Sequence, residues 1–243
     1  MVNMKKKRIF LFLISIFVVL VSVAKVSAIH TGFETSELPS KEKESFVSNI
    51  NISLIDEEPV KKAFGCFDVN SNRLIAIGQD TLDKKTICVY SDEGVFQYGY
   101  TFNCNGDFWI EWDEENLNIC FVRSSIIVSV TPEGEVLDAF EIQNSIENNS
   151  YVNHSILNTE RIVGDDEYVI RNDIGLLNFL ASSYSQVIVK DNNGAERIIY
   201  DVSSTQLEKM IVIISLVLVF AVLAITIIVR SLIKLERANK SQR

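Results

Sequence analysis

Residues Val89 to Tyr100 read "VYSDEGVFQYGY", a polar stretch that ends in Gly94 and has β-branched and aromatic residues on both sides. Residues 91–93 (SDE) place a short polar side chain first and an acid second, which are preferences of a type I turn. Gly94 occupies the next position, at which the backbone adopts the left-handed conformation that precedes a bulge. Glycine takes the positive φ of that conformation at little cost. The stretch therefore predicts a β-hairpin.

The same hairpin pattern occurs three times. Three segments align without a gap and superimpose Gly94, Gly134 and Gly194: "ICVYSDEGVFQYGYTF" (87–102), "IVSVTPEGEVLDAFEI" (127–142) and "VIVKDNNGAERIIYDV" (187–202). Upstream, "FDVNSNRLIAIG" (67–78) matches "IEWDEENLNICF" (110–121). The first unit is thus predicted to have strands at 66–69, 73–78, 86–90 and 95–102. Four strands in a period of about 40 residues are the signature of a propeller blade.

The third unit is less regular. The segment "RIVGDDEYVIR" (161–171) predicts one or two strands, and "IGLLNFLASSY" (174–184) predicts a short helix or a buried crossing. Residues 63–202 hold about three and a half blades, whereas closed propellers have four to eight. The predicted fold is therefore an all-β domain, residues 63–202, of blade-like antiparallel four-stranded repeats that form a partial propeller or stacked sheets.

The amino terminus carries the pattern of a secretory signal peptide, predicted for residues 1–28. Residues 5–8 are basic, 9–24 are uncharged, and 26–28 (VSA) offer the small residues of a cleavage site. The uncharged run reaches roughly 24 Å as a helix, which is shorter than a hydrocarbon core of about 30 Å. We expect cleavage, after which a polar linker with two prolines, residues 29–62, leads to the β domain.

The carboxyl terminus predicts a transmembrane helix at residues 210–229, which contain no charged side chain. Twenty residues span about 30 Å as a helix. A juxtamembrane segment, 203–209, precedes it, and the tail 230–243 has five Lys or Arg against one Glu. The positive-inside rule places that tail in the cytoplasm, so we expect a single-pass cell-membrane protein with residues 29–209 outside.

The charge of the predicted outer part argues against two kinds of partner, nucleic acids and anionic membrane surfaces. Residues 29–209 have 13 Lys and Arg against 31 Asp and Glu, a formal net charge of −18. Such a surface repels nucleic-acid backbones and anionic lipid headgroups. Basic proteins, cations and neutral glycans remain as partners, although acidity also serves to keep an exported domain soluble.

Four cysteines, Cys66, Cys88, Cys104 and Cys120, lie in the β domain. An even number in an exported domain is compatible with a disulfide, and buried free thiols are the alternative. Their spacings of 22, 16 and 16 residues fit no zinc pattern. The sequence leaves free thiols and one disulfide open and predicts no metal site.

Catalytic patterns are weak. "DVNSN" (68–72) resembles the start of a calcium loop, but Arg73 replaces the required glycine and Gln79 stands where Glu belongs, so a turn is predicted. The acidic groups 113–115 and 165–167 could pair carboxylates for glycoside cleavage, although the first group falls in a predicted turn. The two histidines, His30 and His154, have no Ser or Cys motif beside them. We predict no catalytic, cofactor-binding or metal-binding residues.

Two further patterns concern binding and modification. Five aromatic residues could form a platform for a sugar or peptide, or could be core: Tyr98, Tyr100, Phe108, Trp109 and Trp112. Three segments match the N-glycosylation pattern and are interpreted as loop chemistry: 51–53, 148–150 and 153–155.

Three segments carry a resemblance: "CFDVNSNRLIAIG", the hairpin "ICVYSDEGVFQYGY", and "QVIVKDNNGAERIIYDV" before the apolar helix. They are similar to a group of uncharacterised single-pass membrane proteins of Gram-positive bacteria, and their hairpins resemble propeller blades of the NHL type. The likeness covers most of residues 63–229 and implies no activity, because that group has no established function.

These observations together predict a membrane-tethered extracytoplasmic module that binds a protein or glycan at the cell envelope and is not an enzyme. An exported carboxylate-dependent hydrolase and an accessory subunit of a membrane complex are the alternatives.

Overall fold

The structure is a computed structural model that describes residues 29–80 and 84–241. The described part consists mainly of strands in three antiparallel sheets, followed by one long apolar helix. At this level the predicted fold, a β-rich domain before a C-terminal apolar helix, is confirmed. The predicted signal peptide, residues 1–28, lies outside the described residues.

The strands form three up-and-down meanders. In chain order they are β1 (Thr35–Glu37), β2 (Ser53–Ile55), β3 (Cys66–Val69), β4 (Ile75–Asp80), β5 (Lys85–Tyr90), β6 (Phe96–Phe102), β7 (Phe108–Asp113), β8 (Asn116–Phe121), β9 (Ile126–Val130), β10 (Val136–Ile142), β11 (Glu160–Val163), β12 (Asp166–Arg171), β13 (Gln186–Lys190) and β14 (Glu196–Asp201). Sheet I has the order β2-β6-β5-β4-β3, sheet II has β1-β10-β9-β8-β7, and sheet III has β11-β12-β13-β14.

The three aligned hairpins form as predicted. Gly94, Gly134 and Gly194 have φ angles of 80°, 85° and 80°. In the first hairpin the Gly94 N–H donates to the Ser91 carbonyl (3.0 Å), and the Ser91 N–H donates to the Val95 carbonyl (2.9 Å). The other two turns repeat both bonds, and the register of each hairpin then shifts. A turn that needs a positive φ at one position has thus been made with glycine three times.

Sheet I lies between the other two sheets. Because successive side chains on a strand point to opposite faces, Ala76 of β4 faces sheet II, whereas Ile75 and Ile77 face sheet III. Both interfaces are closed apolar clusters, and a third cluster covers the outer face of sheet II. The order of the stack is therefore II–I–III, and within the described residues these sheets do not close a ring.

Residues 29–62 correct the predicted polar linker, because they fold onto the sheets. β1 pairs with β10, and β2 pairs with β6. Between them helix α1 (Ser40–Ile50) packs Phe46, Val47 and Ile50 against the cluster between sheets I and II. Strands β1 and β2 could not be predicted from the sequence, because they have three residues each and pair through backbone hydrogen bonds, which require no apolar pattern.

The third unit contains both predicted strands, β11 and β12. The segment 174–184 contains a 3₁₀ helix, Gly175–Leu180, which has no buried residue. The short helix, which is the first of the two predicted alternatives, is therefore present and lies outside the core, whereas Ile174 just before it is buried.

Two helical segments complete the described chain. α2 (Ile146–Tyr151) continues into a π-helix, Val152–Ile156. α3 (Ser203–Ser241) has 39 residues, and among the described residues it is the one helix long and apolar enough to cross a membrane, over Ser203–Leu232. That span includes the predicted segment 210–229, and the predicted juxtamembrane residues 203–209 form its first two turns. The helix agrees with the predicted membrane anchor.

Candidate functional site

The hairpin turns and the membrane helix lie at opposite ends of the sheets. β14 runs from the 191–194 turn to Asp201, and α3 begins two residues later. Lys209 of α3 lines the same cavity as Cys66 and Phe108, which begin β3 and β7. We call the end with the hairpin turns the distal end and the end at which α3 begins the proximal end.

An acidic depression of about 550 Å³ lies at the distal end, where turns of sheets I and II meet. We call it the acidic notch. Its carboxylates, Glu114, Glu115 and Glu133, are exposed, and no ion pair with any of them occurs among the described residues. The other lining residues are uncharged: Ser71, Asn72, Asn116, Thr131 and Pro132. Three carboxylates around a polar depression favour a ligand with amino or guanidinium groups.

On the other side of the distal end, between sheets I and III, two arginines pair with part of the negative charge. The Arg73 guanidinium lies 2.9 Å from the Asp166 carboxylate and 3.7 Å from Asp92. Arg197 of β14 lies 3.6 Å from the same Asp92 carboxylate. Two carboxylates on this side, Asp92 and Asp166, thus have arginine partners.

The "DVNSN" segment ends β3 and, with Arg73, which follows it, forms the turn between β3 and β4. The Arg73 N–H donates to the Asn70 carbonyl (2.9 Å), and Asn70 N–H donates to the Leu74 carbonyl (3.0 Å), as in the glycine turns. Arg73 has φ 65°, a conformation that costs a non-glycine residue about 1–2 kcal/mol. The segment is the predicted turn, and its strained residue holds two acidic turns together.

Asp68, within the segment compared with a calcium loop, joins the three sheets. Its carboxylate accepts hydrogen bonds from Arg161 Nε of β11 and from the Trp112 N–H of β7, both at 2.7 Å. The Arg161 guanidinium also lies 5.0 Å from the centre of the Phe67 ring. Both charged side chains are about 15% exposed, so Asp68 is a structural residue. A carboxylate inside the apolar strand "CFDV" was the signal that sequence reasoning passed over, because a buried charge needs a partner.

Glu111 and Asp113 of β7 hold the amino-terminal segment. Glu111 accepts hydrogen bonds from Tyr151 Oη (2.7 Å), Thr31 Oγ1 (2.7 Å) and Gly32 N–H (3.0 Å). Burial raises the pKa of Glu111 above its ordinary value, and these hydrogen bonds oppose the rise.

Asp113 is itself buried and accepts from the His30 N–H (2.9 Å). The other acidic group, 165–167, lies at the β11–β12 turn of sheet III, where Asp166 pairs with Arg73. The two acidic groups considered for glycoside cleavage therefore belong to different sheets. Other parts of the chain hold one carboxylate of the first group, Asp113, and two of the second, Asp166 and Glu167.

The five aromatic residues considered as a platform do not share an exposed surface. Tyr100 and Phe108 are buried, and Tyr98 and Trp112 pack against the same cluster between sheets I and II. Trp109 packs on the opposite side of sheet II. The aromatic residues are core, which is the second of the two interpretations.

The two histidines and Asn148, which begins one glycosylation pattern, contact other parts of the chain. His30 lies 3.4 Å from Asp113, and exposed His154 contacts Ser150. Asn148 is buried, and its amide donates to the Glu34 and Gln143 carbonyls.

All four cysteines are free thiols. Cys66, Cys88 and Cys120 are buried in three different apolar clusters, and burial raises the pKa of Cys66 and of Cys88 to about 12. These thiols stay protonated near neutral pH and pack as small apolar groups. Within residues 29–80 and 84–241 no three His, Cys, Asp or Glu residues are placed to hold a metal ion.

The chain matches no protein-family model, no curated protein and no solved structure. The resemblance to Gram-positive membrane proteins stays a prediction.

Proposed function

We propose that this protein is a membrane-tethered binding module whose acidic notch holds a positively charged partner at the cell envelope. One observation carries the proposal: the notch is at the distal end and the membrane helix leaves the proximal end. A partner in the notch therefore meets no obstruction from the bilayer. The three carboxylates of the notch are exposed, and in the described part of the chain none of them makes an ion pair.

The orientation and the finer fold description belong to the same proposal. The basic tail after residue 229 and the secretory pattern at 1–28 support an extracytoplasmic position for residues 29–209. Three meanders stacked through their faces support the description of a partial propeller with three blades.

Binding is favoured over hydrolysis by how the carboxylates are used. A glycosidase needs one protonated carboxyl group and one ionised group beside the scissile bond. Glu111 has the raised pKa that suits the acid, but its oxygens are occupied by Thr31, Gly32 and Tyr151.

The notch is tested with a lysine decapeptide and the full chain in nanodiscs of neutral lipid. We expect binding that weakens with added salt, since exposed charges are screened. Replacing Glu114, Glu115 and Glu133 together by Gln should weaken binding about threefold or more, given about 0.2–1 kcal/mol for each exposed charge pair.

The matched control replaces three exposed acids outside the notch, Glu42, Glu44 and Glu57, by Gln. It removes the same charge and should change the affinity by less than about twofold. Equal weakening by both variants would mean that overall charge binds the peptide and that the notch is not a site.

The natural partner is sought with the tagged full chain in cell-envelope extract at low and high salt. Capture that is lost in the notch variant and retained in the control variant supports the proposal. Protease added to intact cells should digest residues 29–209 and spare the tail. A digested tail beside an intact outer domain would reverse the proposed topology.

A further inference from the structure

The 3₁₀ helix Gly175–Leu180 exposes an unusual amount of apolar surface. Leu176 is 93% exposed, Phe179 is 82% exposed and Leu180 is 50% exposed. The connection 172–185 that contains them has one charged residue, Asp173, and no Lys or Arg. Large apolar side chains grouped on a short loop mark an interaction surface, and the described residues do not cover these three.

The connection lies at the proximal end and is fastened to the membrane helix. Gln206 Nε2 donates to the Ser183 carbonyl (2.9 Å), and the Val202 N–H donates to the Ser185 carbonyl (2.9 Å). Ser203 Oγ also donates to Ser185 Oγ (3.0 Å). These bonds keep residues 183–185 beside the first turn of α3.

The helix sets the depth of this loop relative to the bilayer. Gln206 precedes Met210, the first residue of the uncharged span, by four residues, which is about 6 Å along a helix. The headgroup layer on each side of a hydrocarbon core is about 5–7 Å thick. Ser183 therefore lies at headgroup depth, and Phe179 is only four residues away from it.

We propose that Leu176, Phe179 and Leu180 insert into the bilayer that α3 spans, as a second membrane contact of the chain. Uncharged Leu and Phe side chains are those that enter the boundary between headgroups and acyl chains. The partner is the lipid surface, because α3 is covalently continuous with the domain and brings this loop to it. A helix and a loop together fix the tilt of the sheets and so direct the distal end away from the membrane.

Fluorescence quenching by brominated phospholipids tests the contact with the full chain in nanodiscs. Phe179→Trp is compared with Ile162→Trp, a residue of similar exposure, 79%, beside the β11–β12 turn at the distal end. The unaltered chain already contains Trp109 and Trp112. Its emission is therefore subtracted from that of each variant to give the emission of the added indole. Bromines near the headgroups should lower the added emission about twofold at position 179, at the 5–10 Å depth of interfacial side chains, and leave position 162 unchanged.

The unaltered chain provides a test that needs no variant. After illumination in nanodiscs with a photoactivatable acyl chain, trypsin cuts at Arg161, Arg171 and Lys190 and releases fragments 162–171 and 172–190. We expect the lipid adduct on 172–190 and none on 162–171. Equal quenching at both tryptophans, or adducts absent from 172–190, would overturn the proposal, as would cross-links from this loop to a second copy. Because the lysine peptide is not involved, the result is independent of the acidic notch.

Discussion

The outer faces of sheets II and III differ in what covers them. On sheet II, Phe33 and Ile156 are each 6% exposed and close an apolar cluster. On sheet III, Ile162 is 79% exposed and Ile198 is 52% exposed. The amino-terminal segment and the helices after β10 thus provide sheet II with the cover that another blade would provide in a closed ring, and sheet III has no such cover among the described residues.

The repeated turns show the same difference. A Cβ atom at Gly94 would lie 2.7 Å from the Ile199 carbonyl oxygen of sheet III, and one at Gly134 would lie 3.6 Å from Leu54 Cβ of sheet I. A Cβ atom at Gly194 would have no neighbour within 4 Å. The turns of sheets I and II thus each contact an edge strand of the neighbouring sheet. The turn of sheet III has the same backbone conformation but no neighbouring strand against it in the described part of the chain.

The largest effect on stability should come from removing a side chain that covers the outer face of sheet II. Phe33→Ala removes a buried ring that packs edge-on against Tyr151 at 5.0 Å and should lower the free energy of unfolding by about 4 kcal/mol. Ile198→Ala on sheet III should cost less than about 1 kcal/mol, since that side chain is half exposed. Urea denaturation of the full chain in nanodiscs measures both. Similar losses would show that sheet III is also covered.

The turns provide the second contrast. Gly94→Val should cost about 3 kcal/mol, because left-handed strain of about 1–2 kcal/mol is joined by overpacking against Ile199. Gly194→Val should cost only the strain. Thermal melts of the two variants in the same lipid should differ clearly, with Glu93→Gln as a control that leaves the turn unchanged. If Gly194→Val proves as damaging as Gly94→Val, the contact with sheet III is not what distinguishes the turns.

The face of sheet III that packs against sheet I contains two buried tyrosines, Tyr168 and Tyr200, which differ in their hydrogen bonds. Tyr200 Oη accepts from the Lys62 N–H (2.8 Å) and Gln79 Nε2 (3.0 Å), and donates to the Lys62 carbonyl (2.7 Å). Tyr200→Phe leaves these groups unpaired and should cost about 2 kcal/mol.

Tyr168 is the matched control, because its buried hydroxyl has no hydrogen-bond partner among the described residues. Tyr168→Phe removes a buried hydroxyl that makes no such bond, so it should leave the unfolding free energy unchanged or raise it by about 1 kcal/mol. A loss at Tyr168 equal to that at Tyr200 would contradict the role of the hydroxyl in joining sheet III to sheet I.

The smallest effect concerns pH and the cover of sheet II. Burial raises the pKa of Glu111 above the ordinary value for Glu of about 4.3. The folded state therefore binds this proton more tightly than the unfolded state, and the wild-type protein loses stability as pH rises from the ordinary value through the raised one.

Glu111→Gln removes that loss, so the stability advantage of wild type over the variant should be larger at pH 4 than at pH 7. Unfolding curves at the two pH values measure it, with Glu196→Gln on the uncovered face as the control for removing one acid. An advantage that grows with pH would reverse the assigned direction.

Local chemistry by itself determined the repeated hairpins and the membrane helix. Gly94, Gly134 and Gly194 stand where the backbone needs a positive φ, a requirement that can be read from a few adjacent residues. An uncharged run as long as 210–229 has no polar face to show to water, so it too is recognisable without knowledge of its neighbours.

Three features are visible only in the tertiary structure. Sheet I lies between the other two sheets, residues 29–62 add two edge strands and a helix to them, and Asp68 joins all three sheets. The partners of Asp68, Arg161 and Trp112, are 93 and 44 residues away along the chain. Whether a carboxylate is paired and buried or open to a ligand depends on such distant groups. The acidic notch could not be read from the sequence for the same reason, because it exists only where turns of two sheets come together.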